Sequence, residues 1–167
     1  MLWLVLVCVG MIGWCAAEEY PSGNGTIQID WGISLQSIRR RGAIEKSARY
    51  RMYEIGNVIY KFNNSGRLSE VTIRYSGKPR DFAKTLIHNT LSYYQTRGIP
   101  VRAEYYGKVS RFAGTARMWL ESGGRLLVAL DEYTIKIDSE TTITYFVQIY
   151  NPACNSKSEI LSGFRPM

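Results

Sequence analysis

Between Val58 and Ser76 apolar side chains recur at every second position, Val58, Tyr60 and Phe62 in one run and Val71, Ile73 and Tyr75 in the next. A period of two is the period of a strand. It puts these six residues on one face and leaves Lys61, Glu70, Thr72 and Arg74 on the other. A sheet with one apolar face has to bury that face, so the pattern demands an antiparallel sheet with one wet side and one covered side. Gly56-Asn57 is a pair suited to positive backbone dihedrals and predicts a tight hairpin between RYRMYEI and VIYKFNN. Asn64-Ser65-Gly66 predicts the next hairpin, between VIYKFNN and RLSEVTIRYS.

Residues 79–97 supply a cover for that sheet. Phe82, Leu86, Thr90 and Tyr94 form a row at spacings of four, and Ala83, Ile87 and Leu91 form the row beside it. Pro79 and Asp81 suit a helix start, and Gly98 and Pro100 a helix end. His88 falls on the polar side. A shorter helix is predicted in WGISLQSIRRRG, where Ser34 caps, Leu35 and Ile38 share a face, Arg40 and Arg41 point away and Gly42 ends the turn. In the second half, TARMWLE and RLLVALDEY flank Ser122-Gly123-Gly124, YTIKI continues that strand or forms a short one of its own, and TTITYFVQIY alternates. The expected fold is therefore α+β, in the order α-βββ-α-βββ, with helices packed on one face of an antiparallel sheet. The halves read as two similar units or as one layer.

The chain of 167 residues suffices for one domain with a real core. MLWLVLVCVGMIGWCAA carries no charge before Glu18, is shorter than a membrane span and ends in small residues, so residues 1–17 read as a secretory signal peptide. Residues 18–30 read as a tether, 31–150 as a single α+β domain and 151–167 as a polar C-terminal tail. This organisation implies export to the periplasm or the extracellular space. Attachment to a membrane is expected only through an uncleaved signal or a lipidated Cys15. Removing the signal leaves Cys154 alone, and one cysteine makes no internal disulfide.

Chemistry has little to work with. One histidine and one mature cysteine argue against a zinc site, and neither a phosphate-binding loop nor a dinucleotide fingerprint is present. A serine triad could use only His88 and lacks the usual nucleophile turn. The carboxylates of Asp131-Glu132 and of Asp138 and Glu140 are expected at strand ends or turns. No catalytic residue, metal or cofactor is assigned. Asn24-Gly25-Thr26 and Asn63-Asn64-Ser65 match the glycosylation triplet, which matters only in a eukaryotic secretory route.

Charge says more. Residues 31–117 hold 17 Lys and Arg against 5 Asp and Glu, whereas residues 118–167 hold 4 against 6. Tyrosines accompany the basic part, and Arg with Tyr dominates binding hot spots. The residues proposed for partner binding are Arg39, Arg40, Arg41, Arg49, Arg51, Tyr53 and Arg74. The expected partner is a protein or an anionic envelope component. Nucleic acid, which basic and aromatic side chains also suit, is disfavoured for an exported chain.

WGISLQSIRRRG followed by YKFNNSGRLSEVTI resembles the Gly-x-Ser/Thr helix and the Phe-x-x-x-Gly-x-Leu hairpin of small bacterial envelope domains of the SmpA/BamE lipoprotein type, and of the related two-unit β-lactamase-inhibitor proteins. Gly32, Ser34, Ile38, Gly42, Phe62, Gly66, Leu68 and Val71 carry the resemblance, over roughly residues 31–75. It implies a non-catalytic binder. The residues and the resemblance together favour a secreted or periplasmic binding module with a basic, Tyr-rich face. A small hydrolase with a carboxylate or tyrosine site is the first alternative, and a single-stranded nucleic-acid binder is the second.

Overall fold

A computed structural model describes residues 17–22, 25–78, 81–106, 116–122, 125–137, 140–151 and 153–154. The expected signal peptide (apart from Ala17), Asp138, Asn24 and nearly all of the expected C-terminal tail lie outside the described residues. The elements, in chain order, are β1 (Glu18–Ser22), β2 (Gly25–Ile29), α1 (Leu35–Arg40), β3 (Ile44–Ser47), β4 (Met52–Ile55), β5 (Val58–Phe62), β6 (Leu68–Ser76), α2 (Asp81–Thr96), β7 (Arg102–Tyr106), β8 (Ala116–Ser122), β9 (Arg125–Ile137) and β10 (Glu140–Tyr150). β1 and β2 pair with each other as a two-stranded sheet. The other eight strands form one antiparallel sheet in the order β3-β4-β5-β6-β10-β9-β8-β7.

This overturns the α+β reading in the order α-βββ-α-βββ. The described chain is mostly β, with ten strands against two helices, and its order is ββ-α-ββββ-α-ββββ. Each helix precedes four strands rather than three. Within residues 18–30, expected to be a tether, Glu18–Ser22 and Gly25–Ile29 pair as β1 and β2, with Tyr20 and Ile29 only 4% and 2% exposed in the core. β3 leaves no mark on the sequence for a physical reason. β3, with the sequence IEKS, is exposed along most of its length, so no alternation of burial is imposed on its sequence.

The hairpins form where the turn residues put them. Ile55 pairs with Val58 across Gly56-Asn57. Gly56 sits at φ 61° while Asn57 does not share the positive region, so the glycine takes the one position that side chains resist. Asn57 then extends the β5–β6 ladder: its carbonyl accepts from the Arg74 amide at 2.8 Å and its side-chain amide donates to the Arg74 carbonyl at 3.2 Å. The next turn is organised by Asn63, whose Oδ1 accepts from the Arg67 amide at 2.9 Å and from the Ser65 hydroxyl at 2.7 Å. Asp131 and Glu132 fall inside β9 and not at a strand end, opposite Phe146 and Tyr145 of β10. YTIKI continues β9 without interruption.

The alternation sorts as its period requires. Val58, Ile73 and Val147 share one register line, Tyr60, Val71 and Ile149 the next, and Tyr75 faces Tyr145. α2 covers this face. Its predicted row holds, with Leu86, Thr90 and Tyr94 buried and Phe82 packed against Tyr75 and Tyr145 at ring separations of 5.1 and 5.6 Å. Thr90 is tolerable there because its hydroxyl donates to the Leu86 carbonyl at 2.7 Å. His88 is exposed. At α1, Ser34 accepts from the Ser37 amide at 3.1 Å as the N-cap, and Ile38 is completely buried.

Replacing Leu86 with Asp places an unpaired carboxylate in this layer at a cost of about several kcal/mol, against a total stability of about 5–15 kcal/mol. The variant should fail to show a cooperative thermal transition. His88→Asp, two positions along on the wet side of the same helix, should unfold within a few degrees of the parent.

Candidate functional site

The seven proposed residues do not form one surface. Strand alternation divides them. Glu45 lies opposite Tyr53 in the β3–β4 register and Tyr53 lies opposite Tyr60, so these three share the helix-bearing face. Ile44 lies opposite Glu54 on the far face, where Arg74 also points and donates to Glu54 at 3.0 Å.

On the helix-bearing side, the arginines of α1 differ among themselves. Arg39 is held: its guanidinium lies 5.3 Å from the centre of the Tyr53 ring, donates to the Tyr53 hydroxyl at 3.1 Å and pairs with Glu45 at 3.4 Å. Tyr53 itself is only 3% exposed. It backs Arg39 and offers no contact area of its own. Arg40 and Arg41 are exposed, and among the described residues neither makes an ion pair. Arg41 is near enough to the Tyr60 phenol to counter part of the upward shift that burial gives it.

The β3–β4 turn carries the next two. Arg49 is exposed and stacks on the Tyr50 ring at 5.3 Å. Arg51 is half-buried and belongs to the framework. Its guanidinium donates to the carbonyls of Asn63 and Asn64 at 3.2 and 3.3 Å, and its own carbonyl accepts from the Phe62 amide at 3.1 Å. It also holds φ at 48°, a conformation uncommon for a residue with a side chain. Arg51 thereby ties the β3–β4 turn to the β5–β6 turn.

Two residues outside the proposed seven complete this edge; Tyr50 is one of the tyrosines that accompany the basic part of the sequence, and Ile44 carries no such mark. Ile44 and Tyr50 are the exposed large hydrophobic side chains among the described residues, at 68% and 55%. Both flank or belong to β3, the outermost strand. The signal was present in GAIEKSARY: an isoleucine and a tyrosine set among small and charged residues.

The far face is a lattice of ion pairs. Glu54, nearly covered, accepts from Lys46 at 2.9 Å and from Arg74 at 3.0 Å. Glu70 takes Lys61 at 3.2 Å and the Thr72 hydroxyl at 2.9 Å. The Lys46 hydrogen bond, helped by the nearby charges of Lys46 and Arg74, holds the Glu54 carboxyl below its usual range despite its burial. Arg74 is thus occupied within the fold.

A pocket of about 440 Å³ lies elsewhere, where β1 meets the end of α2, lined by Glu18, Tyr20, Tyr93, Tyr94, Arg97 and Tyr150 among others. Its polar groups largely satisfy one another. Tyr20 donates to Glu18, which also accepts from Trp31 at 3.4 Å, and Tyr150 donates to Gln148 at 2.7 Å. Arg97 stacks on Tyr93 at 3.6 Å and donates to its carbonyl. Burial pushes the phenols of Tyr20 and Tyr94 far above their usual value, so they remain uncharged. This cluster is a seam that docks the first hairpin on the helix. Tyr93 and Tyr94 thus belong to this seam, beside Arg97, and not to the set of proposed arginines.

No family model matches the sequence, no curated protein matches it, and no solved structure matches the fold.

Glu54 makes a checkable contribution to stability. Its pKa in the fold lies below the ordinary 4.5, so the stabilisation is present above pH 4.5 and is lost as pH falls through the folded value. Thermal melts across the acid range should show Glu54→Gln melting lower than the parent near neutrality, with the two curves converging on acidification. A constant offset at every pH would assign the loss to shape and not to charge.

Proposed function

We propose that this chain is a secreted or periplasmic, non-enzymatic binding module, and that the edge formed by α1 and β3 takes an acidic protein partner. One observation carries this reading. Arg40, Arg41 and Arg49 stand exposed, without acidic partners among the described residues, on the same edge that exposes Ile44 and Tyr50. Other cations nearby, Arg39, Lys46 and Arg74, are paired within the fold. Unneutralised guanidinium groups beside exposed aromatic and aliphatic side chains are what a protein interface uses: charge for encounter and register, apolar contact for residence. Arg39, fixed against Tyr53, supports the same surface as a preorganised neighbour.

Export rests on the apolar leader and on the resemblance of residues 31–75 to envelope binders. The non-enzymatic reading is supported by two placements. His88 is exposed on α2, and Asp131 and Glu132, being adjacent in a strand, leave β9 on opposite faces and do not converge.

Exchanging Arg40 and Arg41 together for Glu tests the reading. Binding of a Glu-rich peptide should weaken at least about tenfold and lose much of its salt dependence. The melting temperature should hold, since exposed charges contribute only about 0–1 kcal/mol each. Equal binding by parent and variant would reduce the arginines to a solvated face. Binding to anionic lipid vesicles with no binding to the peptide would move the partner to the membrane surface.

A further inference from the structure

We propose, resting on that reading, that the partner docks by adding an extended acidic segment as a ninth strand alongside β3. Among the described residues β3 ends the eight-stranded sheet and has β4 as its only neighbour, so alternate N–H and C=O groups along it have no ladder partner there. Such an edge is a template for strand addition, in which main-chain hydrogen bonds supply affinity and side chains on the two faces supply selectivity.

The two faces at this edge differ, and that difference names the occupant. On the helix-bearing face stand the exposed arginines of α1, with Arg39 already over Glu45. On the opposite face Ile44 is 68% exposed, and beside it Lys46 is drawn inward to Glu54 at 2.9 Å. At the end of the strand Arg49 and Tyr50 add a second cation and an aromatic ring. A segment whose side chains alternate acid and aliphatic would put carboxylates against the arginines and apolar groups against Ile44.

A second copy of this chain is the wrong occupant. Pairing two β3 edges would bring the unpaired arginines of both copies together, and like charges across an interface are costly. β3 also carries its own protection against indiscriminate pairing. It is four residues long, and its register with β4 shifts between Glu45 and Ser47. A partner must therefore match charge as well as backbone.

The test uses the intact protein and a short peptide alternating Glu and Val. Two further peptides carry backbone N-methyl groups, one at every Glu and one at every Val. Alternate residues direct their N–H groups to opposite edges of a strand, so with the Glu side chains on the arginine face and the segment running antiparallel to β3, only one of the two sets of N–H groups meets β3. One methylated peptide should lose binding about tenfold or more and the other should keep it. Amide hydrogen exchange over residues 44–47 should slow when the unmodified peptide binds. If both methylated peptides bind as the parent does and residues 44–47 exchange unchanged, strand addition is overturned. In that case a loss of binding in the Arg40→Glu, Arg41→Glu variant still upholds the basic surface. Failure of the unmodified peptide to bind, or binding that the charge-reversed protein retains in full, overturns both.

Discussion

The pairing of β6 with β10 holds the molecule together. Within the eight-stranded sheet the first half runs from β3 inward to β6 and the second from β7 inward to β10, so this one ladder joins them. Seven residue pairs make it, from Thr144 with Ser76 to Tyr150 with Glu70. Val71, Ile73 and Tyr75 on one strand and Tyr145, Val147 and Ile149 on the other are 5% exposed or less. Asn151 prolongs the ladder, its amide donating to the Ser69 carbonyl at 3.0 Å and its side chain to the Leu68 carbonyl at 2.8 Å. Phe82 touches Tyr75 and Tyr145, one ring from each half, so α2 fastens the joint from above. These partners are distant in sequence, so their loop-closure entropy must be met before the core rewards it.

A core concentrated at the centre leaves the margin free. β3 contributes no residue to the buried cluster, whereas β4 to β6 each do. What keeps the margin in place is polar. Arg51 bolts the first turn to the carbonyls of the third, and Glu54 collects Lys46 from β3 and Arg74 from β6, spanning the strands between. Such contacts fix geometry without requiring burial of β3 itself. The edge can therefore offer its backbone and its apolar side chains outward while remaining in register.

Much of the centre is legible in the sequence because burial writes a period. The Phe82, Leu86, Thr90, Tyr94 row and the alternation through Val71, Ile73 and Tyr75 are consequences of facing one layer, and both stand in the structure. Ser34 and Gly56 are legible for a different reason, since a cap and a hairpin turn need particular local chemistry. The margin leaves no such trace. IEKS is a strand because its neighbour is one, and EEYPSGNGTIQID reads as a tether although Tyr20 and Ile29 plug the core. The site divides in the same way. The exposure of Arg40 and Arg41 follows from their spacing to Leu35 and Ile38. The occupation of Arg51 by Asn63 and Asn64, and of Arg74 by Glu54, depends on residues brought close only by the fold.

The unpaired arginines bear on solubility as well as recognition. An open strand with an exposed isoleucine invites pairing with any extended chain, and proteins usually blunt such edges with charge. Here the charge has one sign. With a net charge of +7 for the chain and +12 on residues 31–117 alone, the field around the β3 edge repels other copies of the same basic chain. On the proposed reading an acidic segment meets the opposite condition, being drawn by the charge that repels other copies. On that reading the same guanidinium groups perform two tasks through one Coulombic sign: they discourage pairing between identical molecules, and they speed encounter with a strand that can neutralise them.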